Sequence, residues 1–148
     1  MKIKTHPPLR VLSSLHQTTL QQLGPLVRTV MNDLYIEAAG KTIVSGPVYW
    51  IYHGANGKPD TVFTLEIALP IQGFFQPSKF VVKDIPAFKS LSHVHEGSWD
   101  QLYATYEQIM QHIEANKIPM KDESRELYIN IDFQNPANNI TEVQVGIL

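Results

Sequence analysis

The chain is predicted to fold as an α+β domain of two pseudo-twofold-related β-α-β-β repeats, which form an antiparallel sheet with two long helices packed on it. The first observation is that a strand, an amphipathic helix and a hairpin of strands occur twice in the same order. The second is matched spacing, because Ile36-Glu37-Ala38 recurs 77 positions later as Ile113-Glu114-Ala115, and Pro59 and Pro136 keep the same offset. Such a fold places a ligand crevice at the internal axis where the repeats meet.

One domain is expected over residues 1–148, with the first repeat at about 9–71 and the second at about 79–148. The chain is 43% hydrophobic and 18% charged, which is ordinary for a soluble globular protein. Its formal net charge of -2 offers no broad basic surface for nucleic acid, so no direct nucleic-acid partner is expected. No segment resembles a signal peptide or a membrane span. The absence of cysteine excludes disulfides and thiolate sites and suits a cytoplasmic location.

The first repeat is predicted to carry a helix whose apolar residues recur at spacings of three and four. These residues are Leu20, Leu23, Leu26, Val27, Val30, Met31 and Leu34. Thr18 or Thr19 is expected to cap it, and Gly24-Pro25 suits the start of the regular helix because proline is tolerated in a first turn. Gly40 is a plausible C-cap.

Three strands complete the first repeat. Residues 9–15 form the strand before the helix, and residues 48–53 and 61–70 form a hairpin around a turn-rich loop. On the first hairpin strand, Trp50 and Tyr52 point one way while Tyr49 and Ile51 point the other. One of these pairs is expected in the core and the other in a pocket or at the surface, and the pattern leaves both assignments open.

The second repeat begins with a long or bent strand over residues 80–95, broken at Pro86. Ser98 is a good N-cap for the helix that follows. Its apolar stripe consists of Trp99, Leu102, Tyr103, Tyr106, Ile109, Met110 and Ile113. Such a stripe is more often core than pocket, and Tyr106 is assigned to the core. A strand at 125–132 and a final strand at 140–148 form the second hairpin.

The strand at 125–132 places a carboxylate within an alternating pattern. Leu127 and Ile129 face one side, whereas Glu126 and Tyr128 face the other. If the polar face lines a closed hollow, Glu126 is a charge held beside an aromatic ring, and a cationic ligand would pair with it. The alternative is an outer strand with one face in solvent, which this stretch alone favours.

Several stretches taken together resemble the gyrase-inhibitor-like (GyrI-like) domain, the effector-binding module of multidrug-sensing bacterial transcription activators. The resemblance lies in residues 95–103 (His-Glu-Gly-Ser-Trp-Asp-Gln-Leu-Tyr), in Glu126-Leu127-Tyr128 and in residues 140–145. In the first repeat, Gly46-Pro47 followed by Tyr52-His53 is similar to the family's Gly-Pro-aromatic strand. No single motif is specific, but their order and spacing cover nearly the whole chain.

The resemblance implies a pocket for bulky, often cationic and aromatic, small molecules. It implies that Glu126 pairs with the ligand's positive charge, as does the glutamate of the family's Glu-x-Tyr strand. The aromatic candidates for the pocket are Tyr49, Trp50, Trp99, Tyr103 and Tyr128. Unlike the regulators, the chain shows no helix-turn-helix domain, so a stand-alone binding protein for drug sequestration or sensing is expected.

Two other kinds of site carry less weight. His93 and His95 lie on one face of a strand as a possible metal half-site, but no third ligand stands at a recognisable spacing, so no metal is assigned. Nothing singles out an axial ligand for haem, and no cofactor is expected. The expected partners are organic cations or aromatic drugs, with a separate regulator or gyrase left open and no membrane.

Two other functions remain open. Some members of the resembled family are hydrolases of strained-ring compounds, and Glu126 could act as the catalytic general base if burial raised its pKa. Binding is favoured over hydrolysis, because the sequence shows no other catalytic constellation. A protein-interaction module that inhibits gyrase is the third possibility, and the acidic stretch at 121–124 gives it little support.

Overall fold

The computed structural model describes residues 1–148, except for the side chains of Val27 and Arg28. The predicted place of Val27 in the helix stripe therefore lies outside the described residues. The elements, in chain order, are β1 (Lys2–His6), β2 (Leu9–Thr18), α1 (Gly24–Ala38), β3 (Ile43–Val44), β4 (Tyr49–His53), β5 (Phe63–Gln72), β6 (Val81–Ile85), β7 (Phe88–Glu96), α2 (Leu102–Ala115), β8 (Met120–Asn130) and β9 (Ile140–Ile147).

The strands form one antiparallel sheet in the order β1-β7-β9-β8-β4-β5-β2-β6, with the short β3 paired to β5. The order is symmetric about its centre, because β4 and β8, the third elements of the two β-α-β-β units, pair with each other there. Each is flanked by the last strand of its own unit and then by the first. The predicted α+β fold of two related repeats with two long helices is confirmed.

The sheet curves, because its two ends are joined by very short connections. β1 and β2 are separated by two residues, as are β6 and β7, yet the members of each pair lie at opposite ends of the strand order. Lys2 lies opposite Ser92 and Ser13 lies opposite Val81, which is one continuous antiparallel register across the break at Pro86. The predicted bent strand is confirmed, whereas β1 and β3 were not predicted.

The helices begin later than their predicted caps. A 3-10 turn, Leu20–Gln22, follows Thr19, and α1 starts at Gly24 with Pro25 in its first turn, as the tolerance of proline there predicts. Ser98 accepts a hydrogen bond from the Asp100 amide at 3.2 Å, but it caps a 3-10 turn that precedes α2. None of the helices described here has the length and apolar character needed to cross a membrane.

The helices cover the outer strands of one face of the sheet and leave its centre open. α1 packs against β2 and β5, while α2 packs against β7 and β9. Leu34 of α1 and Ile109 of α2 are fully buried in two separate clusters on this face. A third cluster, around Ile51, lies on the opposite face. The central pair of strands, β4 and β8, is therefore exposed to a space between the helices.

Candidate binding cavity

A cavity of about 680 Å³ occupies the space over β4 and β8, within the usual range for small-molecule sites. Its walls come from the 3-10 turn before α1, from the middle of α1, from the α2 face, from the loop after β4 and from β8. The lining residues are Leu20, Leu23, Met31, Trp50, Tyr52, Ala55, Asn56, Gly57, Trp99, Leu102, Tyr103, Tyr106, Met110, Met120, Lys121, Asp122, Glu123, Ser124, Glu126, Tyr128 and Val145.

Strand register brings the central cavity residues together. Trp50 of β4 lies directly opposite Glu126 of β8, so their side chains are neighbours on the same face. Alternation then places Tyr52 and Tyr128 on that face as well. The polar face of the Glu126 strand points inward, while Ile129 on the other face is 45% exposed. The usual arrangement of apolar side chains inside and polar ones outside is inverted here.

Three tyrosine hydroxyls donate hydrogen bonds to the buried carboxylate of Glu126. Tyr106 donates to Oε1 at 2.7 Å, Tyr52 donates to Oε2 at 3.2 Å, and Tyr128 also donates to Oε2. The Glu126 residue is only 5% exposed. Among the described side chains, no lysine or arginine forms an ion pair with it. The carboxylate is therefore hydrogen-bonded, but its charge is not neutralised.

Burial controls the titration of this group. Burial raises the pKa of Glu126, and the hydrogen bonds from Tyr128, Tyr106 and Tyr52 oppose that rise without cancelling it. The pKa of each tyrosine is raised well above its ordinary value by burial and by the charge of Glu126. The tyrosines therefore stay protonated and remain donors at any ordinary pH.

Edge-to-face aromatic contacts build one wall of the cavity. The Tyr128 ring lies 5.7 Å from Trp50 and 5.3 Å from Trp99 between centroids, with interplanar angles of 86° and 66°. Trp99 also contacts Phe133 at 5.9 Å. Its indole nitrogen donates to Thr141 Oγ1 at 3.1 Å, which fixes the orientation of the ring. The wall is preformed and offers ring surfaces to a ligand.

Most of the residues proposed from the sequence lie around this cavity. Glu126, Tyr128, Trp50 and Trp99 line it, and Tyr103 lines it from an outer position where it is 62% exposed. Their roles in binding remain predictions.

Tyr49 departs from the prediction, because it does not line the cavity. It lies on the opposite face of the sheet, in a cluster with Val11, Ile51 and Ala68. The cause is the alternation of β4, in which Trp50 and Tyr52 take the cavity side. This resolves the orientation that the pattern left open.

Two of the three tyrosines that donate to Glu126 were not proposed as ligand-binding residues from the sequence. Tyr106, assigned to the core, lines the cavity and contacts Glu126 directly. Tyr52 was not among the proposed ligand-binding residues, although it shares a face with Trp50. The available signals were the spacing of Tyr106 three residues after Tyr103 on α2 and the cross-strand pairing of β4 with β8. Neither signal shows from sequence alone that three hydroxyls converge.

His95, one of the two histidines of the possible metal half-site, hydrogen-bonds within the protein. His95 Nε2 donates to the Ser98 carbonyl at 2.9 Å, and its Nδ1 accepts from the Thr105 hydroxyl at 2.8 Å. This side chain fastens β7 to the start of α2. The described residues contain no group of three or more potential ligands that could hold a metal ion.

The model of the GyrI-like small molecule binding domain matches residues 1–148 of the chain. No curated protein sequence matches it significantly. Among solved structures, the crystal structure of the EcmrR C-terminal domain is similar, with a TM-score of 0.83 and 20% identity over 99% of this chain and 96% of that one. The longer EcmrR chain in its DNA complex has a TM-score of 0.81 and 22% identity; the match covers 99% of this chain and only 56% of that one.

Two further structures share the fold. SAV2435 bound to tetraphenylphosphonium has a TM-score of 0.70 and 14% identity over 99% of this chain and 93% of that one. A hydrolase encoded by lin2189 from Listeria innocua has a TM-score of 0.70 and 12% identity over 99% of this chain and 91% of that one. At these identities the likeness concerns the fold.

Proposed function

Because the chain belongs to the GyrI-like small molecule binding domain family, we propose that it binds amphipathic aromatic cations, with Glu126 as the group that compensates the ligand's charge. This extends the family's general property, small-molecule binding, to a ligand class and to a residue. The resemblance to this family that the sequence suggested is confirmed.

The observation that carries the proposal is the carboxylate of Glu126 beside an apolar cavity, where its hydrogen-bond donors among the described side chains are neutral tyrosine hydroxyls. Removing a carboxylate from water costs several kcal/mol unless an opposite charge compensates it. Three hydroxyl donors satisfy its lone pairs but leave a net negative charge. A cation that enters the cavity supplies the missing charge, and a neutral ligand does not.

The aromatic wall favours a delocalised cation over a compact one. The rings of Trp50, Trp99 and Tyr128 each offer a face or an edge, and a cation over a ring gains about 0.5–2 kcal/mol. Tetraphenylphosphonium, the ligand of the similar protein SAV2435, combines a positive centre with four rings. That chemistry matches a cavity with one buried carboxylate and several aromatic side chains.

The proposed biological role is sequestration of such compounds, or sensing of them through a separate regulator, in the bacterial cytoplasm. EcmrR supports the sensing alternative, because its longer chain forms a complex with DNA and includes a domain of this fold. The present chain spans 56% of that longer chain. In the sensing alternative, a separate regulator would convert ligand binding into a transcriptional response.

Hydrolysis is a second candidate, favoured by the raised pKa of Glu126. A buried carboxylate with a pKa closer to neutrality is a better general base for water. A structure with this fold is described as a hydrolase, which agrees with this alternative. Turnover of an electrophilic ring compound, lost in Glu126→Gln, would identify catalysis, whereas binding alone gives thermal stabilisation without product.

The test is a fluorescence titration of Glu126→Gln with a cationic dye and with a neutral analogue of the same size. We expect the cation to bind at least about tenfold more weakly, because the amide cannot neutralise its charge, while the neutral compound changes by less than about twofold. Glu107→Gln, which removes an exposed carboxylate of α2 outside the cavity, is the control for net charge. Equal losses for both compounds would remove Glu126 as the charge partner.

A further inference from the structure

β8 lines the cavity over much of its length, from an exposed end to a buried centre. Asp122 and Glu126 both belong to the lining, and they lie four residues apart on this strand. At about 3.3 Å per residue, their backbone positions are at most about 13 Å apart, because β8 is irregular between Met120 and Ser124. Asp122 is exposed and Glu126 is 5% exposed, so the two carboxylates mark the mouth and the floor of one cavity.

The two carboxylates at the mouth are not equivalent. Glu123 is engaged, since Arg125 contacts its Oε2 at 2.8 Å and His53 Nδ1 lies 3.4 Å from its Oε1. Asp122 forms no ion pair with any side chain that the structure describes. Its carboxylate is thus an uncommitted negative charge at the entrance.

Apolar side chains at the outer part of the cavity can hold the middle of a long ligand. Tyr103, Met110 and Met120 line the cavity and are 62%, 41% and 42% exposed. Thioethers and a tyrosine ring adapt to alkyl and aryl groups of varied shape. Lys121 is the positive residue in the described lining, against three carboxylates, so the lining remains negative.

We propose that the cavity takes elongated dications, with one positive group at Glu126 and the second at Asp122. The inference rests on the proposed function, because it uses Glu126 as the inner charge partner. It adds a second subsite and a preferred distance between the two charges of the ligand. A monocation uses the floor of the cavity alone.

Calorimetric titration of two ligand series on the complete chain tests this directly. One series consists of α,ω-bis(trimethylammonium) alkanes of increasing length, and the other of the matching alkyltrimethylammonium monocations. We expect the affinity of the dications to peak at one chain length, with the charges no more than about 13 Å apart, since that is the longest spacing the strand allows, and the monocations to show no such peak. Asp122→Asn should abolish the peak and weaken the best dication about threefold to fivefold, while monocations change by less than about twofold.

Glu107→Gln is again the matched control, because it removes one exposed carboxylate without altering the cavity. If monocations bind through Glu126 but dications show no optimal length, or if Asp122→Asn behaves as Glu107→Gln does, the second subsite is wrong and the proposed function stands. If neither series binds, the second subsite is wrong, and the proposed function, which concerns aromatic cations, is decided by the dye titration of Glu126→Gln. If Glu126→Gln leaves monocation affinity unchanged, both proposals are wrong.

Discussion

Two glutamates, Glu126 and Glu66, are buried on opposite faces of the sheet, and their surroundings shift their pKa values in opposite directions. Glu66 on β5 is 3% exposed and lies opposite Ile51, whose side chain points away from the cavity. Burial pushes its pKa up, but the interactions with His53, Lys83 and Ser13 outweigh burial and bring the pKa to about 2. Among the described side chains, the donors to Glu126 are tyrosines, and the pKa of Glu126 is raised.

The difference shows what determines whether a buried carboxylate is structural or free for a ligand. The Oε2 atom of Glu66 accepts from the Ser13 hydroxyl at 2.5 Å and pairs with the Lys83 ammonium, while His53 lies 3.6 Å from Oε1. Its charge is therefore neutralised inside the protein. Neutral hydroxyl donors give the carboxylate oxygens of Glu126 a similar number of hydrogen bonds. They do not neutralise its charge, which is therefore available to a cationic ligand.

The largest difference between the two residues is expected in their contributions to the free energy of unfolding. Glu66→Gln should lower the free energy of unfolding by about 3 kcal/mol, because it leaves Lys83 and His53 without their buried partner. Glu126→Gln should change it by less than about 1 kcal/mol without ligand, because it removes a charge that nothing neutralises. Urea denaturation of both variants measures this, and similar losses would contradict the distinction drawn between the two sites.

The pH dependence of binding should sharpen the comparison. The pKa of Glu126 is raised, so part of the population is protonated at pH values where an ordinary glutamate is fully ionised. The affinity for a cation should therefore rise with pH, by up to about tenfold per unit below the folded-state pKa, and level off above it. The affinity for a neutral analogue should stay flat.

Binding titrations across pH 4 to 9 with the wild type and with Glu126→Gln would check this expectation. The affinity of the wild type for the cation should rise with pH. A flat curve for the cation in the wild type would show that Glu126 is already fully ionised or is not the charge partner.

The smallest expected effect concerns a single donor. Tyr106→Phe removes the hydrogen bond to Oε1 and should destabilise the ionised form of Glu126 by about 1 kcal/mol, which moves the rising part of the binding curve to higher pH. Tyr103→Phe is the matched control, because this exposed tyrosine of the same helix has no hydrogen bond to Glu126 among those described. Coincident curves for the two variants would show that Tyr106 does not hold the charge.

Local pattern was enough to predict much of the fold. Spacings of three and four located both helices, and alternation with turn residues located the four hairpin strands. β1 and β3 were missed because Lys2–His6 has few apolar residues and Ile43–Val44 spans only two positions. Pairing across the sheet, which gives these short strands their hydrogen bonds, leaves no mark in the local sequence.

The site was predictable in part for the same reason. Glu126 was found because a carboxylate interrupts an otherwise regular strand and because the chain resembles a known family. The convergence of three tyrosine hydroxyls on Glu126 depends on contacts between β4, α2 and β8, which are distant in sequence. Residue type alone did not distinguish Tyr106, which contacts the carboxylate, from a core aromatic. The side of the sheet that Tyr49 faces could be assigned only from the register of β4.

The pairing of β1 with β7 has a consequence for how the protein is made. Lys2 is synthesised 90 residues before its partner Ser92, and the first-repeat strands β2 and β4 likewise pair with the later strands β6 and β8, so these strand edges stay unpaired during much of translation. Pairings over such sequence separations form slowly, and open strand edges invite association with other chains. The first repeat thus needs strands of the second repeat to complete its sheet. Until those strands are synthesised, its unpaired strand edges remain exposed in the nascent chain.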